Sequence, residues 1–343
     1  MRSRWCAIFL LLASVCGVRA ETTMINGMAY VSLSSIAADW GMNAPVSSGA
    51  KEFTASGGGH SLAVKSGSRQ ALIDGVRHWL SYPAAMSGNA AFLSETDVAK
   101  TIGPAMRPGS VKGFRPVTTV VLDPGHGGHD RGARSSFGYE KEFALDVSSR
   151  VKAKLEKAGL KVVMTRRSDV FIPLESRPAL ARKATNPIFV SIHFNSSDAN
   201  TAANGIEVFA IAPLGAPPSG QAVPRDRDRQ RETGHAFEPV NLVLANTIHH
   251  ALLGRTSSFD RGVKRARFVV LKEAAMPAVL IEGGFLTNPA EASRIASPAW
   301  RETLADGIVA GILEYKKLAE QGAAPRKAQD FGRAPTTQFV PEN

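Results

Sequence analysis

Four residues of the kinds that hold metals and move protons stand next to apolar runs or open a predicted helix: His126, Glu140, His193 and Glu282. His126 follows Val120-Val121-Leu122 through Asp123-Pro124-Gly125. His193 closes Phe189-Val190-Ser191-Ile192, and Glu282 closes Val279-Leu280-Ile281. Two imidazoles and a carboxylate make a catalytic zinc set with a fourth position left for water. A carboxylate outside that set is then needed to take a proton from water and pass it to a leaving amine. His126, Glu140 and His193 suit the first role and Glu282 the second. Each has a plainer reading alone: Asp-Pro-Gly-His-Gly-Gly as a tight turn, and Ser-Ile-His as a hydrogen-bonded structural histidine. Glu282 is hardest to read so, because a carboxylate directly after a buried run must find a partner. The combination argues for chemistry.

These residues converge only if the elements before them lie side by side. Apolar runs at Thr118 to Leu122, Lys161 to Thr165, Ile188 to Ile192, Ile206 to Ala212, Phe268 to Leu271 and Ala278 to Ile281 read as strands. Glu140 to Ala158, Leu174 to Thr185, Asn241 to Leu253 and Ala299 to Leu318 read as helices. The alternation predicts an α/β domain, a mainly parallel (mixed) twisted sheet with helices on both faces. In such sheets the ligand crevice lies beyond the carboxyl ends of the strands, where His126, His193 and Glu282 fall. A short loop would return Glu140, at the start of its helix, to the same rim.

The blocks LDPGHGGHDRGA (122–133), YEK (139–141), VVMTRRSD (162–169), LESR (174–177), FVSIHFNS (189–196), RGVKRARFVVL (261–271) and PAVLIEGGFLTN (277–288) resemble the zinc-dependent N-acetylmuramoyl-L-alanine amidases. The resemblance covers Val117 to about Tyr315. It implies metal ligation by His126, Glu140 and His193, catalysis by Glu282, and hydrolysis of the amide between N-acetylmuramic acid and L-alanine in peptidoglycan. Asn195 and Arg177 are candidates for substrate contact. His129 and Asp130 match no ligand position and read as rim residues. Two rival readings remain: a zinc carboxypeptidase or endopeptidase on stem peptides, which lacks the His-Glu-x-x-His motif, and a non-catalytic wall-binding or activator protein.

The first twenty residues place Arg2 and Arg4 before an apolar run and end in Val18-Arg19-Ala20, the layout of a secretory signal peptide. Both cysteines, Cys6 and Cys16, fall inside it, and Cys16 could alternatively carry a lipid anchor. The mature chain then has no disulfide to form, and no transmembrane segment is expected after signal removal. The formal charge of +11 drops to +8 without Arg2, Arg4 and Arg19. That suits an anionic polymer as partner, while no nucleic-acid module is present. The expected location is the periplasm or cell wall.

Residues 21–108 read as a small α+β domain for binding or targeting. It has a faint repeat, Ala29-Tyr30-Val31-Ser32 and Ala91-Phe92-Leu93-Ser94, each a strand leading to a helix that ends at a glycine, Gly41 or Gly103. Asn26-Gly27 and Asp74-Gly75 mark hairpins. The segment resembles the N-terminal domain of copper amine oxidases, and its His60 and His78 stand apart from other titratable groups. Residues 109–116 read as a linker, 117–318 as the catalytic domain and 319–343 as a disordered tail. The stretch 212–238, rich in Pro, Gly and Arg, is long for a connection. It reads either as a mobile flap, steadied by substrate and offering Glu232, His235 or Glu238 to the metal, or as a disordered surface insertion; an activator protein is a candidate partner.

Overall fold

The computed structural model describes residues 22–49 and 51–321. The expected signal peptide and the tail beyond 321 lie outside the described residues. Among the described residues no helix is long and apolar enough to cross a membrane.

Strands β1 (Thr22–Ile25) and β2 (Met28–Ser32) lead into helix α1 (Leu33–Asp39). A meander follows: β3 (Val46–Gly49), β4 (Glu52–Gly57), β5 (His60–Lys65), β6 (Gln70–Ile73) and β7 (Val76–Trp79). Then come β8 (Ala85–Ser87), β9 (Ala90–Ser94) and the short helices α2 (Glu95–Asp97) and α3 (Gly103–Met106). Both Asn26-Gly27 and Asp74-Gly75 carry positive φ at both residues, the condition for the tight hairpin turn their sequence signals. The repeat is real: β2 and β9 pair in register, and Ser32 and Ser94 each accept a hydrogen bond from the backbone N–H three residues on. The two copies end differently. Gly41 takes a φ of +68° after α1, whereas Gly103 has a φ of −56° and continues as helix.

The second segment runs β10 (Thr119–Pro124), a small hairpin of β11 (Arg134–Ser135) and β12 (Gly138–Tyr139), α4 (Glu140–Lys157), β13 (Lys161–Met164), α5 (Ser176–Ala181), β14 (Pro187–Asn195), β15 (Ile206–Ile211) and α6 (Glu238–Thr256). It continues through β16 (Asp260–Ala266), α7 (Val269–Lys272), β17 (Ala278–Phe285), α8 (Pro289–Ala296) and α9 (Pro298–Glu320). Strands β13, β10, β14 and β17 are parallel neighbours. β15 then pairs antiparallel with β17 and parallel with β16. This is the expected α/β class with a mixed sheet. Alternation along β14 shows how its faces are assigned. Ile188, Val190, Ile192 and Phe194 join the large core with residues of α4, α6 and α9, while Phe189 joins the smaller core with Ala181, Val270 and Leu271.

Two predicted elements change. The apolar run Phe268 to Leu271 is the start of helix α7, and the strand lies just before it at Asp260–Ala266. Arg261, Lys264 and Arg265 hide that strand from a hydrophobicity reading, and short apolar runs do not by themselves separate strand from helix. The helix expected over 174–185 shrinks to Ser176–Ala181.

The 212–238 stretch is anchored rather than hung over the site. Because β15 runs against β17, the chain leaves β15 at the end of the sheet opposite Glu282. There Arg69 donates to the carbonyls of Pro218 and Gln221, Tyr82 Oη to Gly215 O, and Arg267 to the carbonyls of Pro213, Ala216 and Asp228. His235 is used locally, accepting from Glu232 N and lying 3.1 Å from Ala212 O, while Glu238 pairs with Lys100 at 3.2 Å. Both the flap reading and that of a disordered insertion therefore give way: the stretch is ordered and anchored.

The meander joins the catalytic sheet through β7, where His78 lies opposite Val263 of β16, giving one eleven-stranded sheet. The 109–116 connection is packed too, with Val111 and Val117 buried and Phe114 against Tyr315. His60 is partnered by Asp74 at 2.8 Å. His78 is fully buried at the joint, 3.1 Å from Val76 O and 3.0 Å from the Asn246 side chain. Burial pushes its pKa down to about 4, against weaker support from the Val76 carbonyl. The unfolded chain, with an ordinary histidine, binds more protons between those values, so this contribution is present above about pH 6.5 and is lost as pH falls through 4. The stability gap between wild type and His78→Gln should therefore narrow by about 3 kcal/mol from pH 7 to pH 4. Urea melts at the two pH values measure it, and a constant gap would contradict a neutral buried His78.

Candidate metal centre

The loop after β10 is built to aim His126. Asp123, fully buried, accepts from Thr165 Oγ1 at 2.6 Å, Ser191 Oγ at 2.7 Å and Arg177 Nη1 at 3.0 Å, tying three elements beneath the loop. Arg177 also donates to the carbonyls of Pro124, His126 and Ile172. Arg166 donates to those of Pro124, Gly125 and Lys141. Arg177 is thus 1% exposed with its donors spent on the loop, and it builds the site rather than lining it. His126 itself has a φ of +59°, uncommon for a residue with a side chain. Such strain persists only where the surroundings over-determine it, and it gathers at functional positions.

Glu140 is the first residue of α4 and is nearly buried. Its Oε1 accepts from His193 Nδ1 at 2.8 Å and Phe194 N at 3.1 Å. Its Oε2 lies 3.0 Å from His126 Nε2 and accepts from Ala133 N at 2.8 Å. Burial alone would raise its pKa, but the hydrogen bonds from the two histidines prevail and hold it far below the ordinary carboxylate range. The ligand atoms of His126, Glu140 and His193 all lie within 4.8 Å of one another. Two imidazoles and an ionised, buried carboxylate facing one point are the donor set a transition metal takes. The residues present fit a metal.

Asp130 was expected only at the rim, yet it accepts from His126 Nδ1 at 2.9 Å. That is the contact that fixes the ring and tautomer of a ligating histidine. His129 stays on the rim, exposed and stacked on Phe171 at 4.2 Å between ring centres.

Glu282 lies directly beside His193 in the parallel pairing of β14 and β17, on the same face of the sheet. Its Oε2 is buried and finds no hydrogen-bond partner. Burial, then the charges of Glu140 and Glu207, raise its pKa well above the usual range, partly opposed by Lys264. It is a carboxyl poised to hold a proton beside a cluster that could hold a metal ion. On its other side stands Glu207, paired in register from β15. Glu207 accepts from Asn195 Nδ2 at 2.8 Å and Arg261 Nε at 2.9 Å, and Lys264 Nζ also donates to it. Asn195 therefore sits half-buried at the cleft, held by Glu207. Glu207 escaped the sequence reading, although a charge inside the apolar run Ile206 to Ile211 carries the same signal that marks Glu282.

Taken together, a His-Glu-His cluster and a half-buried carboxyl with one unpartnered oxygen at the strand ends of an α/β sheet define a metal-site hydrolase architecture. The model of the N-acetylmuramoyl-L-alanine amidase family matches residues 120–314, and the chain belongs to that family. It is 32% identical over 253 residues to the N-acetylmuramoyl-L-alanine amidase AmiA of Escherichia coli K12, covering 67% of this chain and 86% of AmiA. It is also 32% identical to the amidase AmiC of Escherichia coli O6:H1, where the match spans 64% of this chain and 58% of AmiC. The solved catalytic domain of the amidase CwlV from Bacillus (Paenibacillus) polymyxa aligns at 32% identity with a TM-score of 0.49, over 59% of this chain and 99% of that domain.

Close packing around the cluster yields a prediction. A Cβ on Gly125 would lie 2.3 Å from His193 Cε1, and one on Gly132 would lie 2.5 Å from Glu140 Oε2. Gly125→Ala should keep the fold but displace His193 and weaken zinc binding roughly 10- to 100-fold. Competition against a chromogenic chelator measures this, and an unchanged affinity would mean that His193 is not a ligand.

Proposed function

We propose that this chain is an exported zinc hydrolase that cleaves the amide between the lactyl group of N-acetylmuramic acid and L-alanine in peptidoglycan. The observation that carries the reading is Glu282 Oε2, buried without a partner beside His193 and the carboxylate of Glu140. Zinc held by His126, Glu140 and His193 would supply a Lewis acid that acidifies water and polarises a carbonyl. Glu282 takes the proton of the attacking water on its carboxylate and delivers it to the nitrogen of L-alanine as the C–N bond breaks. The products are a lactyl carboxylate and a stem peptide with a free amine. Asp130 orients His126, Asn195 is available to substrate at the cleft, and the raised pKa of Glu282 suits it to carry the proton between the two steps. Family membership and the named relatives support the muramyl amide over a bond within the stem. The basic charge and the N-terminal sequence support export toward an anionic wall, in periplasm or cell wall.

Digestion of purified peptidoglycan by the zinc-loaded protein should release stem peptides that begin at L-alanine, lost on chelation and restored by zinc. Glu282→Gln should lower kcat by about 10²- to 10⁴-fold while wall binding is kept. Products cut within the stem would favour a peptidase. Wall binding without any turnover by the zinc-loaded wild type would favour a binding protein.

A further inference from the structure

Beside the His-Glu-His cluster, the N-terminal segment supplies Trp79 to the face of the sheet that carries Glu282. Trp79, at the end of β7, donates from its indole Nε1 to Arg261 O at 2.9 Å, and Lys264 Nζ lies 5.4 Å from its ring centre. Arg261 and Lys264 are the two cations on Glu207 Oε2, and Glu207 is the cross-strand neighbour of Glu282. The fit is close: a Cβ on Gly262, between the two cations, would lie 3.1 Å from Trp79 Cδ1 and 2.9 Å from Arg77 O.

Two carboxylates directly opposite on adjacent strands repel. Here the repulsion is relieved on one side only, because both cations stay on Glu207 and leave Glu282 Oε2 without a partner. A lysine is a flexible point charge, and Lys264 Nζ is flanked by two aromatic rings, Trp79 at 5.4 Å and Phe209 at 5.8 Å. The aromatic face of Trp79 attracts the ammonium, while its N–H fixes the Arg261 backbone. We propose that Trp79 is a positioning residue of the active site, holding Lys264 and Arg261 on Glu207 so that Glu282 stays free to carry protons. The N-terminal segment is then part of the catalytic unit. The inference rests on the hydrolase reading of Glu282, but its chemistry can be tested separately.

The test uses the full zinc-loaded chain and compares wild type, Trp79→Leu, Trp79→Phe, Lys264→Met and the Trp79→Leu/Lys264→Met double variant. Turnover of a soluble muropeptide and the rate of Lys264 acetylation by acetic anhydride, read by mass spectrometry, are both measured. Trp79→Leu should lower kcat roughly three- to thirtyfold with KM little changed, and Trp79→Phe should recover much of the loss. The double variant should be only slightly slower than Lys264→Met alone, because most of the effect of Trp79 passes through the lysine and only its contact with Arg261 is left to lose. Lys264 should acetylate faster once its aromatic cover is removed. Wild-type kcat in Trp79→Leu, or losses that add in the double variant, would overturn the proposal. If the wild type turns over no muropeptide, the amidase reading fails, and acetylation then decides alone: faster labelling in Trp79→Leu supports the role of Trp79, and unchanged labelling overturns it. Should Trp79→Leu not fold, Trp79→Met, which keeps bulk without the aromatic face, takes its place.

Discussion

A buried carboxylate must be satisfied on every side, and at Glu140 that requirement organises the rest of the site. Its two oxygens take four donors from two separate stretches of chain: His126 and Ala133 of the loop after β10, and the His193 side chain and Phe194 backbone of β14. Removing any of these would leave part of a charge buried and unpaired, which costs far more than the contact itself contributes. The helix beginning at Glu140 adds a favourable end, since its N-terminus attracts negative charge. One residue therefore fixes the loop after β10, the start of α4 and the end of β14 relative to each other. A metal at that point would replace the proton-sharing contacts of the histidines while keeping their direction.

The reversal of β15 is the second constraint. Had β15 run parallel to β17, Glu207 would lie at the far end of the sheet and the 212–238 insertion would reach the cleft. Running antiparallel, it places Glu207 opposite Glu282 and sends the insertion to the other end, where Arg69 and Arg267 hold its carbonyls. The same reversal sets the direction of β16 and thereby lets β7 add in parallel to the sheet edge. An otherwise open edge, with unpaired N–H and C=O groups, is extended by the N-terminal meander.

What could be read in advance follows from range. His126, His193 and Glu282 were legible because each sits where a buried run ends, a pattern set by neighbours along the chain. Glu140 was legible from a helix start after a glycine-rich loop, and the hairpins at Asn26-Gly27 and Asp74-Gly75 from their turn chemistry. Strand direction was not legible. Nothing local to Ile206–Ile211 says whether it runs with or against β17, so the position of the insertion was missed along with Glu207. Strand β16 was hidden because one of its faces carries Lys264, paired with Glu207 beside Trp79, and the other buries Arg265 against the carbonyls of Ile211 and Lys100. Asp130 and Arg177 show the same limit in reverse. Their types suggested surface and substrate, and only the three-dimensional hydrogen bonds place them under and beside His126.

Three features that break ordinary rules meet at the site. His126 adopts a left-handed backbone conformation, Glu282 buries an unpartnered oxygen, and Glu207 and Glu282 stand opposite each other as like groups. The charges beneath and beside them, Asp123, Arg166 and Arg177, are spent on hydrogen bonds. A carboxyl oxygen left without a hydrogen bond next to a strained histidine and a like-charged neighbour is an arrangement shaped by function rather than stability. The cost is carried by the supports around it: the arginine clamps on the loop carbonyls, the Asp123 network beneath, and the two cations on Glu207. Each support removes a way for the strained groups to relax. The His126 loop cannot turn over, and the carboxyl of Glu282 cannot acquire the cations of its neighbour. Rigidity on three sides is what leaves a reactive arrangement stable on the fourth, where substrate arrives.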